Sequence, residues 1–102
     1  MSRRLIVKPG AEFDIANGFR WYEERQLGLG LRFIEQLDVA FQRVVESPAS
    51  YQEVMPEVRK AVVRRYPYLV FFTYDPEAVH ILAVIPAAQD PAYINSRLEA
   101  ET

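Results

Sequence analysis

The feature that most constrains this chain is the apolar series Phe33, Leu37, Ala40, Phe41 and Val44. Spacing by three and four residues gathers them on one side of a helix, with Arg32, Glu35, Gln36, Gln42, Arg43 and Glu46 mostly off it. Ser47-Pro48 ends that helix, because a residue before proline is pushed out of helical geometry. Upstream, Ile15, Phe19 and Tyr22 repeat in the same manner, which predicts a helix from Ala11 to about Gln26. Gly18 inside it costs roughly 1 kcal/mol of helix propensity. Leu27-Gly28-Leu29-Gly30 separates the two segments, so they form an antiparallel helical hairpin. Its stripe (Ile15, Phe19, Phe33, Leu37, Phe41, Val44) must be buried against something.

The second half of the chain supplies the partner. Val58–Tyr66, Tyr68–Tyr74 and Val79–Ile85 are rich in Val, Ile, Tyr and Phe and read as strands. Asp75-Pro76-Glu77-Ala78 is a turn, so the last two runs should pair antiparallel. Arg3–Val7 reads as an opening strand closed by Lys8-Pro9-Gly10. Asp90-Pro91 has the form of an N-cap followed by proline in the first turn, opening a short helix to about Glu99. The order predicts an α+β fold: an opening strand, a helical hairpin on a small antiparallel sheet, and a short C-terminal helix. Residues 1–102 read as one domain.

Composition narrows the chemistry. The chain has no cysteine, which excludes disulfides and thiolate ligands, and one histidine, His80, so no metal centre is expected. No apolar run reaches the roughly 20 residues of a membrane span, and Met1–Pro9 lacks the apolar core of a signal peptide. A cytoplasmic domain is expected. The net charge of −2 excludes a general polyanion binder, but the charge is uneven. Between Glu57 and Tyr66, four cations (Arg59, Lys60, Arg64, Arg65) face one acid, giving a local charge of +3.

Those four cations allow two readings. Charge at a strand edge deters aggregation. Arginine forks also match phosphate oxygens. Strand periodicity would put Arg59 and Arg65 on one face with Ala61 and Val63, and Lys60 and Arg64 on the other. Tyr66, Tyr68 and Tyr74 read as core or cross-strand aromatics, whereas Tyr93, on the terminal helix, is a functional candidate. His80 reads as a strand-end polar residue, and Glu23 and Glu24 as a solvated helix face. There is no glycine-rich phosphate loop, no Gly-x-Ser-x-Gly and no His-Glu-x-x-His.

Taken in order, "PGAEFDIANGFRWYEE", "VVESPASYQEV", "VRKAVVRRYPYLVFFTYD" and "VHILAVIPAAQDPAYINSR" resemble the RelE/ParE superfamily of bacterial type II toxin–antitoxin toxins. The similarity spans about ninety residues, several weak motifs agreeing in order and spacing. It implies a toxin neutralised by an antitoxin that wraps extended and helical segments around it, with no cofactor. Two activities are implied: RelE-like members cut mRNA in the ribosomal A site, and ParE-like members poison DNA gyrase without catalytic residues of their own.

By position, Arg59 fits the first basic place of the RelE-like pattern. Ala61, Tyr68 and Gln89 stand where further cations would be, and Tyr93 keeps the terminal aromatic. Arg64 and Arg65 could substitute, which leaves Arg59, Arg64, Arg65 and Tyr93 as ribonuclease candidates. The ParE-like terminal pattern of His, Arg-Asp-Pro and Trp is met here by Pro86, Gln89-Asp90-Pro91 and Tyr93, with Arg97 retained. The resulting expectation is a ParE-like toxin that binds its target through Arg59, Arg64, Arg65, Tyr93 and Arg97. A ribosome-dependent mRNA endonuclease and an attenuated toxin that mainly binds its antitoxin are the alternatives.

Overall fold

The computed structural model describes residues 3–102. Strand β1 (Arg4–Val7) is followed by helices α1 (Pro9–Arg25) and α2 (Leu29–Glu46), and then by a 3-10 turn at Pro48–Ser50. Strands β2 (Gln52–Met55), β3 (Val58–Val62), β4 (Tyr68–Tyr74) and β5 (Ala78–Pro86) lead to helix α3 (Pro91–Glu101). This is the α+β architecture expected from the sequence. The strands form one sheet in the order β1-β5-β4-β3-β2. The antiparallel portion extends from β2 to β5, while β1 joins β5 in parallel, Ile6 opposite His80, so the whole sheet is mixed. A parallel neighbour requires a long crossover, and the hairpin with the intervening strands supplies it.

Helices α1 and α2 cover one face of the sheet. Phe33, Leu37, Phe41 and Val44, at most 5% exposed, pack there with Val70, Phe72 and Ile81. On the other face Leu98 of α3 joins Val58, Phe71, Leu82, Ala83 and Ile85. Strands β4 and β5 are therefore covered on both sides. A bulge helps: Phe71 pairs with Ala83 and Phe72 with Ile81, leaving Leu82 as the extra residue. Leu82 and Ala83 consequently contribute to the same apolar cluster.

Two expectations change. Ile15 and Phe19 are only half-buried and line an open groove, Ile15 packing against the edge of the core at the same time. The third strand also stops at Val62 and does not reach Tyr66: residues 64–66 turn, with Arg65 at φ 69, so Arg64 and Arg65 leave the strand register. Proline at 67 favours this, since it biases the preceding residues and cannot donate to a ladder. Strand β2 was not foreseen, because Gln-Glu-Val-Met has little of the strand signature.

Gly18 proves to be a packing requirement. A Cβ at this position would lie 2.8 Å from the Phe33 ring, so glycine lets α1 approach α2 closely. The Asp90 cap is present as predicted, its carboxylate accepting the Ala92 N–H at 2.9 Å.

Candidate functional site

The sequence candidates fall in three separate places. Arg59 stands alone on β3. Its guanidinium donates to the Tyr51 and Ala49 carbonyls and lies 5.7 Å from the centre of the Tyr74 ring. Backbone carbonyls just past α2 thus hold its Nη1, and Arg59 ties the 3-10 turn to the sheet.

Arg64 and Arg65 occupy the exposed β3–β4 turn, and neither forms an ion pair with a described residue. Arg64 lines a cleft of about 490 Å³ with Arg43 of α2 and Lys60 of β3. Arg65 lines a second cleft with Arg32, Glu35 and Tyr66. Gln36 borders both, so the two clefts are neighbours along α2.

Tyr93 and Arg97 sit one helical turn apart on α3 and face α1. Arg97 Nη1 and Nη2 donate to the two oxygens of Asp14 at 3.0 and 2.8 Å, and Nη1 also reaches the Tyr93 hydroxyl at 3.1 Å. The second Asp14 oxygen additionally accepts the Val84 N–H at 2.9 Å. One carboxylate thereby joins α1, β5 and α3. The hydrogen bonds that Arg97 donates to Asp14 raise its pKa further above the ordinary value, outweighing desolvation, so the guanidinium stays charged. Beside it a cleft of about 220 Å³ is walled by Asn17, Trp21, Tyr68, Gln89 and Tyr93. Trp21 and Tyr93 are 48% and 44% exposed, so the rim is aromatic. Tyr68 lies beneath them at 9% exposure, and burial, then the Asp14 charge, raises its hydroxyl pKa.

Two carboxylates that sequence reasoning passed over are structural anchors. Asp14 is one. Glu23, read as part of a solvated face, accepts the Gly28 and Gly30 N–H groups and so fixes the interhelical loop. Spacing gave no signal for Asp14, because its partner Arg97 is 83 residues distant. His80 acts as expected of a strand-end residue. It meets Asp75 at 3.2 Å, and Asp75 accepts the Glu77 and Ala78 N–H groups that close the β4–β5 turn.

An open groove of about 750 Å³ lies between α1, α2 and β1. Leu5, Ile15, Phe19, Ile34 and Phe41 form its apolar walls, and Glu12, Glu24 and Asp38 lie along it with Arg20. Among the described residues no group of His, Cys, Asp and Glu side chains is placed to hold a metal, and no helix is long and apolar enough to cross a membrane.

An α+β toxin fold with a groove across its helical hairpin defines the class, that of the RelE/ParE toxins. The chain belongs to the family of ParE toxins of the type II toxin–antitoxin system parDE, whose profile matches residues 5–91. It is 25% identical to Toxin ParE2 of Mycobacterium tuberculosis, across 100% of this chain and 98% of that one. A structure from the chromosomal ParDE system of P. aeruginosa shares the fold with a TM-score of 0.73 at 15% identity, covering 82% of this chain and 95% of that chain. A double-arginine mutant of the E. coli toxin RelE in the free state gives 0.63 at 20% identity, covering 98% of each. The same mutant in complex with a peptide of the antitoxin RelB gives 0.59 at 25% identity, covering 94% and 95%.

Proposed function

We propose that this chain is a cytoplasmic growth-inhibiting toxin of the ParE-like branch, acting by binding a macromolecule such as DNA gyrase and neutralised by a cognate antitoxin. One observation carries the preference for binding over chemistry. Of the positions that the resemblance assigns to RelE-like cations, Ala61 and Tyr68 are 3% and 9% exposed, and Gln89 is neutral. Arg59 commits Nη1 to backbone carbonyls, and Arg97 commits both terminal nitrogens to Asp14. Cleavage by a ribose hydroxyl needs a base, a leaving-group acid and free cations at one phosphate. No such set converges here, and Arg64 and Arg65 remain as the freely presented part of the target contact.

The apolar groove is the surface that the antitoxin would cover. Its acidic rim favours an amphipathic helix with basic flanks, a recognised helix-in-groove mode. Induced expression tests the proposal. Growth arrest with altered plasmid supercoiling and intact mRNA, relieved by co-expressing the product of the adjacent gene, is the expected result. Cleaved mRNA at arrest would establish the endonuclease alternative. Absence of toxicity, with a stable antitoxin complex, would establish the attenuated one.

A further inference from the structure

Two exposed aromatic rings of this chain are held in place by arginines. Trp21, 48% exposed on α1, carries the Arg25 guanidinium 3.2 Å from its ring centre, and Arg25 is tied back to the Trp21 carbonyl at 2.9 Å. Tyr93, 44% exposed on α3, accepts a hydrogen bond from Arg97 at 3.1 Å, and Arg97 is clasped by Asp14. Surface rings fixed in advance lose little further freedom when something docks on them. Both wall the same cleft of about 220 Å³ between α1 and α3. That is smaller than the roughly 300–1,000 Å³ of pockets for whole small molecules, and suits one side chain.

The floor of the cleft carries an unused hydroxyl. Tyr68 is 9% exposed and its oxygen forms no hydrogen bond with a described residue, yet no fully buried side-chain oxygen among them lacks a partner. The hydroxyl is therefore open to the cleft, beside Gly18, where a Cβ would lie 3.4 Å from it. Burial and then the Asp14 charge raise its pKa, so it keeps its proton and can donate. Asn17 and Gln89, also on the wall, use their side-chain oxygens on Arg20 and on the Asp90 N–H, both at 3.3 Å. Two carboxamide NH₂ groups are left to donate.

These groups select the occupant. Arg97 gives both terminal nitrogens to Asp14 and Arg25 lies on the indole, so the cleft lacks the free cation that a phosphate needs. A purely apolar ring would leave the Tyr68 hydroxyl desolvated and unpaired. A phenol is uncharged, planar and carries an oxygen at the end of its ring. We propose that the α1–α3 cleft receives a tyrosine side chain of a protein partner, its ring between Trp21 and Tyr93, its oxygen accepting from Tyr68, and its flanking backbone carbonyls accepting from Asn17 and Gln89. Tyrosine seated in a small rigid pocket is a frequent carrier of interface energy. The cleft shares no wall residue with the groove assigned to the antitoxin.

The assignment rests on the target-binding reading for the protein that carries the tyrosine, but ring binding is measured without a growth phenotype. Ring binding by a chain that leaves growth untouched would sink the toxin reading alone. Growth arrest by a chain that ignores the ring would sink the pocket alone. The single tryptophan gives one indole N–H resonance, and N-acetyl-tyrosinamide titrated into the purified full chain should shift it with a Kd of about 1 mM, as one ring can supply. N-acetyl-phenylalaninamide lacks only the oxygen and should bind about tenfold more weakly. Adenosine monophosphate should leave the resonance in place. Tyr68→Phe should bring the two amino-acid probes to equal affinity with an unchanged melting midpoint, and Tyr93→Ala should abolish the shift. An unmoved resonance with N-acetyl-tyrosinamide, equal binding of both probes to the natural chain, a tyrosine preference that survives Tyr68→Phe, or tighter binding of the nucleotide would overturn the assignment.

Discussion

Replacing Asp14 by alanine should loosen α3 before it disturbs the helical hairpin. Its carboxylate accepts three hydrogen bonds, two from Arg97 and one from the Val84 amide, and is only 10% exposed against 23% for Arg97. Breaking a fully buried ion pair by removing one partner costs about 3–5 kcal/mol. Arg97 keeps some access to water, which lowers the expected loss to about 2–4 kcal/mol, consistent with charged hydrogen bonds of about 1.5–3 kcal/mol each that are partly replaced by solvent. Asp14→Asn should lose less, because its amide oxygen can still accept from Val84.

The measurement is a double-mutant cycle on denaturation midpoints with Asp14→Ala, Arg97→Ala and their combination. A coupling of about 1–3 kcal/mol is expected for residues in direct contact. Hydrogen exchange should accelerate first at the amides of α3, whose anchor Leu98 is 1% exposed. A loss under about 0.5 kcal/mol for Asp14→Ala, with no coupling, would show an ordinary surface pair and refute the clasp.

Four further outcomes follow from the packing. Leu37→Ala should cost about 2–5 kcal/mol in chemical denaturation, as buried leucine truncations do, and a shift below about 0.5 kcal/mol would place its side chain in solvent. Gly18→Ala should destabilise by about 1–3 kcal/mol despite better helix propensity, because its Cβ would meet Phe33 in the core; Gly30→Ala meets both Phe19 and the Glu23 oxygen that anchors the interhelical loop, and should also destabilise by the same assay. Arg59→Ala should lower the melting midpoint, whereas the strand pattern alone predicts a stability-neutral change, and Arg59→Lys should recover only part of it because lysine lacks the planar guanidinium that lies 5.7 Å from the Tyr74 ring centre. The Glu77 amide, then His80 and the Ala78 amide, hold the Asp75 carboxyl below its ordinary pKa, so its stabilisation is complete above the unfolded-state value and is lost as pH falls through the folded one. Asp75→Ala should therefore flatten the acid limb of a melting-midpoint profile, and an unchanged limb would discard this contribution.

The fold was legible wherever burial imposed a period. The stripe from Phe33 to Val44 fixed α2 because one side faces the sheet, and Asp90-Pro91 announced α3 through capping chemistry that is local. Ile15 and Phe19 carried the same period but line the groove, since periodicity reports which side of a helix is apolar and not whether anything covers it. The end of β3 was misplaced because Val63, Arg64 and Arg65 continue an acceptable strand alternation, while the turn is set by Arg65 backbone geometry and by pairing with Tyr68. Site legibility followed the same division. Arg64 and Arg65 were exposed as their charge suggested, but the roles of Arg59 and Arg97 depend on Tyr51 and Asp14, partners that no spacing in the chain identifies.

The placement of Ala61 and Tyr68 also explains why the binding reading is not one substitution from the catalytic one. Tyr68 lies 4.9 Å from Phe33 between ring centres and 6.2 Å from Tyr22, within an aromatic cluster that also includes Tyr66. Ala61 belongs to the same core, beneath the helical hairpin. Where the RelE-like pattern would have cations lining a phosphate, this chain has the contact surface between α1, α2 and the sheet. A lysine or arginine there would have to be desolvated or would force the helices apart, since buried ions without partners cost several kcal/mol each. The basic charge left free lies outside that surface, on the β3–β4 turn and along α2, where it can contact a partner without disturbing the core. Arg59 and Arg97 hold elements together in this chain, while Arg43, Arg64 and Arg65 form no ion pair with a described residue.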